Sequence, residues 1–583
     1  MMYLIHYIGC FLVLTLVHDV MGLSTRARNS LLQTLRGGNL EERQARLQNL
    51  AAIYFGNRTS VDRRDNNVAS SIREVIPQAP DSNSIDDPSI EEINQREGVA
   101  EYLFQGDINL TEEQLEWMER NIAARKTSRP KRQVDRGARL WTNNRVFYFF
   151  DISVDSRKRS VVKEALNFIR DRTCLEFTES TTATNRIRVF SGAGCYATIG
   201  MAGGVQELSL GSGCEAVGIA AHEFAHALGI WHMQMRDDRD DYVQVDLSAV
   251  PMTMLHNYIK LPSFRIINYT PYEYGSYMHY DARSFATRGN SLIPRDSSYL
   301  RTMGSRVISF YDIKTINDHY KCRARCGSAS AICFNGGEPN PRNCAVCNCP
   351  AGYGGALCNQ RPPGCGETLK ATDRWQMKQF TFGDSTSRSV RDTFTECNHW
   401  IEAPAGRRIQ LRVTSLQNSQ CHNGCTLNAI EPKTRADMTV TNPRICCTES
   451  LNQILTSNLN PTPIISYNRF LTSTFTFQYR TRFILGLTFR LNVVFRGLEV
   501  VQVRLSVIYT TKHFLTPVHS THPSKTTPSL QSTDELTTCP TNIAEQNATA
   551  AIADRRWMTN GYCMVQPWSY KACASIGTIS QLT

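Results

Sequence analysis

A chain of 583 residues is too long for one hydrophobic core and must be divided into several domains. Its 64 Lys and Arg against 53 Asp and Glu leave a net charge of +11, but the charges are spread along the whole chain, which argues for a solvated surface and against a nucleic-acid partner. No membrane span is expected in the mature chain: the most apolar later stretch, 483–509, is interrupted by Arg490, Arg496, Glu499 and Arg504.

Residues 1–22, MMYLIHYIGCFLVLTLVHDVMG, are an apolar run of signal-peptide length, with cleavage expected near Gly22 and the mature chain secreted and extracellular. Its leading region carries His6 in place of Lys or Arg, which leaves an N-terminal anchor as the competing reading. Twenty cysteines fit an oxidising compartment: Cys10 lies in the leader, and the other nineteen begin at Cys174. An odd number leaves one thiol unpaired or paired between chains. Sequons at Asn57, Asn109, Asn268 and Asn547 are glycosylation candidates.

The cysteine-free segment 23–132 reads as a propeptide. Around 80–98 it is acidic, polar and expected to be flexible. Thr111 and Gln114 then form a capping-box pattern, with Leu115, Met118 and Ile122 following at helical spacing. The segment closes with RPKR, where an activating convertase would cut between Arg132 and Gln133.

Residues 133–322 have the texture of one α+β domain. VFYFFDI and RIRVF read as strands, VVKEALNFIRDRT as an amphipathic helix, and 216–231 as a buried helix. Between 323 and 359 lie six cysteines among turn-forming glycines, a unit too small to hold together without disulfides. Residues 365–485 are strand-rich, and alternation in RRIQLRVTSL and STFTFQYRTRF predicts a β-sandwich. A Ser/Thr/Pro-rich linker is assigned to 486–538, and a tail with Cys539, Cys563 and Cys573 to 539–583.

The chemistry sits in HEFAHALGIWH at 222–232. His222 and His226, four apart on a helix, face one metal together. Gly229 suits the stop and reversal that would bring His232 round as third ligand. Three imidazoles leave Zn2+ one open position for a water, and Glu223 is placed to take its proton as a carbonyl is attacked.

The extended string HEFAHALGIWHMQMRDDRDDYV resembles the astacin family of metzincin zinc metalloendopeptidases. GSYMHYD at 275–281, TCLEF at 173–177, GCYATIG at 194–200, GGVQELSLGSGC at 203–214 and HYKC at 319–322 extend the resemblance. It implies a Met-turn at Met278, a switchable catalytic ligand at Tyr280, and disulfides Cys174–Cys322 and Cys195–Cys214. The six-cysteine unit resembles an EGF-like domain and the strand-rich one a CUB domain, an order typical of nematode members. Phe104-Gln-Gly-Asp107 resembles the family's latency motif, which implies that the Asp107 carboxylate takes the water's place on zinc. WMTNGYC at 557–563 resembles part of a ShK-like module.

The chain departs from the family at Met233, where glutamate is usual and helps anchor the new N-terminus, and at Met235 and Asp237, where serine and proline are usual. The resemblance implies a secreted, zymogen-activated zinc endopeptidase acting on extracellular matrix or cuticle proteins, with moulting or hatching as roles. Two other readings are a processing protease for one secreted precursor and a catalytically impaired adhesion or recognition protein.

Overall fold

The computed structural model describes residues 23–56, 85, 87–124, 139–261, 267–483 and the strands within 487–509. Its first compact unit runs to Phe483. Among the described residues the N-terminal segment contributes four helices: α1 (Thr25–Thr34), α2 (Leu40–Phe55), α3 (Ile90–Arg96) and α4 (Glu112–Ala124). The predicted capping box forms at α4, where Thr111 N donates to Gln114 and Gln114 N to the Thr111 hydroxyl. Leu115, Met118 and Ile122 are buried with Leu47 and Leu50 of α2 against Tyr258 and Phe285 of the following domain.

The described part of the acidic stretch, 87–98, is not the flexible linker expected. Ser89 and Glu92 cap α3 reciprocally. Asn94, fully buried, donates to the carbonyls of Gly106 and Cys195 and accepts from Cys195 N at 2.8 Å. Those bonds satisfy backbone groups of both chain segments at once and hold the acidic stretch on the domain.

The central sheet is built from β1 (Ile108–Asn109), β2 (Arg145–Phe150), β3 (Glu176–Glu179), β4 (Arg186–Phe190), β5 (Cys195–Thr198) and β6 (Val205–Leu210). Its order is β1-β5-β6-β4-β2-β3, and only β5 and β6 pair antiparallel. The N-terminal segment thus supplies an edge strand, adding β1 parallel to β5. Edge-strand addition fixes register through main-chain bonds, here including Ala197 N to the Asp107 carbonyl at 3.0 Å.

Two helices cover the sheet. α5 (Ser156–Arg170), capped by Asp155, buries Val161, Val162, Ala165, Leu166 and Ile169 at helical spacing. α6 (Val217–Ala227) is buried at all eleven positions, as a helix apolar on nearly every side must be. It ends at Ala227, four residues before the predicted 231. Gly229 at φ +93° closes a Schellman motif, with Gly229 N bonding His226 O and Ile230 N bonding Ala225 O. A third helix, α7 (Phe310–His319), follows.

Disulfides Cys174–Cys322 and Cys195–Cys214 close this domain as the resemblance implied. The small module pairs Cys326–Cys344, Cys333–Cys347 and Cys349–Cys358 around a two-stranded sheet. Its Arg342 binds Glu176 and the carbonyls of Arg170 and Leu175, docking it on the central domain.

Next come two four-stranded sheets, 368–370, 395–402, 462–468 and 428–432 in one, and 376–383, 472–483, 407–417 and 455–456 in the other. Ile401, Ile430 and Ile464 of the first share a core with Ile409, Val413, Phe475 and Phe477 of the second. Three disulfides brace them: Cys365–Cys397, Cys421–Cys447 and Cys425–Cys446. This two-sheet module packs on the central domain: the Asp392 carbonyl accepts from Val217 N, the first amide of α6, and Arg444 donates to Ser305.

In the second unit, residues 487–496 and 499–509 pair as an antiparallel hairpin. Sequence reading had placed the linker's start there. Among the described residues no helix is long and apolar enough to cross a membrane.

Candidate metal centre

α6 presents His222 and His226 one turn apart, and the Schellman turn returns the chain so that His232 joins them. Each ring donates from Nδ1 to an oxygen: His222 to Tyr277 O at 2.7 Å, His226 to Ile230 O at 2.9 Å, His232 to Gln105 Oε1 at 3.0 Å. That leaves all three Nε2 lone pairs unprotonated and aimed at one point. His222 Nε2 lies 3.0 Å from His226 Nε2 and 3.2 Å from His232 Nε2.

The Asp107 carboxylate enters the same point, 3.1 to 3.4 Å from the three Nε2 atoms. It is placed by β1 and by a left-handed turn at Gln105 (φ +53°) and Gly106 (φ +76°). A Cβ on Gly106 would stand 2.5 Å from the Phe285 ring, so glycine is required there. Gln105 carries the strain of its conformation because His232 and Tyr280 both bind it.

These residues fit a divalent cation. Burial holds His226 and His232 neutral, the latter at about 3. Burial pushes the Asp107 carboxyl upward, and only positive charge at this point, on the imidazoles or on a cation among them, brings it below its ordinary value. Three lone pairs and an anion crowded within 4.8 Å repel one another unless positive charge sits among them. A second cluster, Cys421, Cys447 and Glu449, offers no such site because its two sulfurs are bonded to each other.

Glu223 is fully buried, and among the described residues neither carboxylate oxygen has a hydrogen-bond partner. Burial, then the charges of Asp107 and Glu91, push its pKa well above the ordinary value, so it takes and holds a proton readily. Met278 is buried in one cluster with Ala221, Phe224 and Ala225 of α6. Its carbonyl accepts from Met233 N at 2.8 Å, tying that turn to the residue after His232.

The Tyr280 ring lies tilted beside the His232 ring, centroids 4.9 Å apart, and donates its hydroxyl to the Gln105 carbonyl. Met233 and Gly229–His232 line a cavity of about 630 Å³ with Arg236, Tyr269, Asp312 and His319. Sequence reading missed Gln105, although it lies inside the quoted FQGD string. It also missed Gln234, which accepts from Tyr280 N, and Asp312, which binds Ser276 and Tyr277 N.

Of the glycosylation candidates, Asn109 is unsuitable in this fold. It is 5% exposed in β1, accepting from Arg43 and donating to Thr198. Asn268 is exposed and donates from its amide to Asp237 Oδ1. Asn57, Asn547, Arg132, Gln133 and the remaining cysteines, Cys10, Cys539, Cys563 and Cys573, lie outside the described residues.

A helix carrying two histidines and a buried glutamate, a tight turn to a third histidine and a methionine turn beneath them define a zinc peptidase of the metzincin kind. The family model for the astacin peptidases matches residues 133–321. Zinc metalloproteinase nas-32 of Caenorhabditis elegans is 48% identical over 395 residues, covering 67% of this chain and 60% of its own length. Zinc metalloproteinases nas-31 and nas-17 of the same organism are 36% and 38% identical, over 75% and 89% of their lengths and 78% and 67% of this chain. High choriolytic enzyme 1, a hatching enzyme zinc-protease from Oryzias latipes, is 32% identical over 32% of this chain and 94% of its own, at a TM-score of 0.30. The chain belongs to the astacin family of zinc metalloproteinases.

Proposed function

We propose that this chain is a secreted, latent zinc endopeptidase, released by cleavage after Arg132, that hydrolyses extracellular matrix or cuticle proteins. The observation that carries the reading is the convergence of three Nε2 lone pairs and the Asp107 carboxylate beside a buried, unpartnered Glu223.

His222, His226 and His232 would hold zinc, which supplies Lewis acidity toward a peptide carbonyl and acidifies water. Glu223 accepts the proton of the attacking water and returns it to the leaving amine. Tyr280, once freed from Gln105, donates its hydroxyl toward the oxygen on which negative charge develops. In the latent chain Asp107 occupies the position the nucleophile needs, and β1 holds it there. Residues 23–132 therefore act as a prosegment.

The pairing of first with third, second with fourth and fifth with sixth cysteine supports an EGF-like module at 323–359. Two four-stranded sheets sharing a core support a CUB-like sandwich at 365–485. Both would position substrate or localise the enzyme. The leader, the eight disulfides among the described residues and the exposed sequon at Asn268 support secretion.

Hydrolysis tests the reading. The zinc-loaded chain, cleaved after Arg132 and incubated with collagenous matrix proteins, should create new N-termini that a chelator abolishes. A zinc-loaded, processed chain that creates none overturns it. Many cut sites indicate a matrix-degrading enzyme, and a single site in one precursor indicates a processing protease.

A further inference from the structure

The second sheet of the two-sheet module, built from 376–383, 472–483, 407–417 and 455–456, has a one-sided charge. Its strands carry Lys378, Arg407, Arg408, Arg412, Arg480 and Arg482 and no Asp or Glu. Side chains alternate between the two faces of a strand. Ile409, Leu411 and Val413 are buried in the core with Phe475, Phe477 and Tyr479 of the paired strand. Arg408, Arg412, Arg480 and Arg482 therefore share the opposite, outward face.

Arg408 stands directly opposite Arg482, a like-charge cross-strand pair that destabilises a sheet. Among the described residues, Lys378 of this sheet pairs with Glu367, but none of the four outward arginines has a carboxylate within ion-pair distance. Their side chains bond neutral glutamine oxygens instead. Arg412 Nη2 donates to Gln478 Oε1 at 2.7 Å, and Arg480 Nη2 and Arg482 Nε donate to Gln410 Oε1 at 3.1 and 3.3 Å. The Arg412 and Arg480 guanidinium groups also lie over the Trp375 ring, 4.8 and 4.3 Å from its centroid. Desolvation, then the like charges of Arg482 and Arg412, lower the Arg480 pKa. The four cations are thus held in place without being neutralised. A guanidinium ordered in advance loses little freedom on binding and still has donors for an anion.

The arginines lie on an open sheet face in rows, with successive outward residues about 7 Å apart along a strand. Such rows suit a chain of repeated anions better than one small anion, which needs a pocket. Beside them the outward groups are chiefly amides and hydroxyls, of Gln379, Thr381, Gln410 and Gln478, which suit sugar hydroxyls. Anionic lipid is concentrated in the cytoplasmic leaflet, which a secreted chain does not meet. None of the four arginines lines the metal-centre cavity, so an occupant of this face leaves the cleft free.

We propose that this face binds a linear sulfated polysaccharide of the extracellular matrix, with Arg408, Arg412, Arg480 and Arg482 on its sulfate groups. The two-sheet module thereby holds the enzyme where its substrates lie. The proposal rests on the extracellular part of the functional reading and is independent of the peptidase chemistry.

The test is binding of the full, zinc-loaded chain to immobilised heparin at physiological ionic strength. Arg412→Gln/Arg480→Gln should weaken Kd about tenfold or more. Lys163→Gln/Arg170→Gln removes the same charge from exposed positions on α5 and should change Kd less than about threefold. Equal losses in both variants, or no loss in the first, overturn the proposal. Arg408→Gln/Arg482→Gln carries the same prediction and removes a repulsive pair, so it keeps the test decisive if the first variant does not fold. Soluble heparin should displace the wild-type chain and desulfated heparin should not. Displacement by polyglutamate as effective as by heparin, or equally tight capture by phosphatidylserine vesicles, overturns the polysaccharide assignment. A processed chain that binds heparin but cuts no peptide overturns only the peptidase reading.

Discussion

The Tyr280 hydroxyl donates to the backbone carbonyl of Gln105 at 2.5 Å, so the N-terminal segment engages this hydroxyl while Asp107, two residues on, faces the three histidines. One short turn thus blocks the metal position and restrains the side chain that would assist catalysis. In the processed chain, Tyr280→Phe should lower kcat by about 10- to 100-fold with little change in zinc content. In the uncleaved chain the same change removes one hydrogen bond and should cost about 1 kcal/mol of prosegment docking. Steady-state kinetics and thermal unfolding of both forms check the two halves.

Glu223 has no structural partner to lose. Glu223→Gln should therefore fold, bind zinc through the unchanged histidines, and lose about 10²- to 10⁴-fold in kcat. Loss of zinc along with activity would instead assign the glutamate a role in building the site.

Glu273 links stability to pH. It accepts from Gly275 N and from Thr441 N of the two-sheet module, yet burial dominates and raises its pKa from 4.5 to about 7. The native state then binds a proton that the unfolded state has already released. Its stabilising contribution is complete below about pH 4.5 and is lost as pH rises through 7. Glu273→Gln should flatten the fall in melting temperature between those limits relative to wild type, and an identical pH profile would contradict the assignment.

Glycopeptide mapping should find Asn268 modified and Asn109 bare, because a glycan on Asn109 would break its bonds to Arg43 and Thr198 and displace β1. Occupancy at Asn109 in the folded, latent chain would contradict the placement of β1.

The metal centre was legible because its geometry is local. Spacing of four on a helix and a glycine at the stop dictate where His222, His226 and His232 meet. Met278, Tyr280, Asp107 and the two domain disulfides lie far away in sequence and became legible only through family likeness. The order of residues 87–98 was not legible although Ser89 and Glu92 spell a capping box. Acidic composition suggested disorder, while the order comes from tertiary contacts at Asp87 and Asn94. Nothing local announces that Arg306 and Arg469 share the Asp87 carboxylate, since separate domains must first assemble. The hairpin of 487–509 was hidden by the Ser/Thr/Pro-rich sequence that follows Tyr509.

The central claim is that the Asp107 carboxylate keeps an otherwise complete zinc site silent. Its most direct test is peptide hydrolysis by the uncleaved, zinc-loaded chain, comparing wild type with Asp107→Ala, with both confirmed intact at Arg132–Gln133. The account predicts a silent wild type and a variant that cuts substrate at a rate readily measured against the processed enzyme. Equal silence in both, with zinc bound, would contradict it.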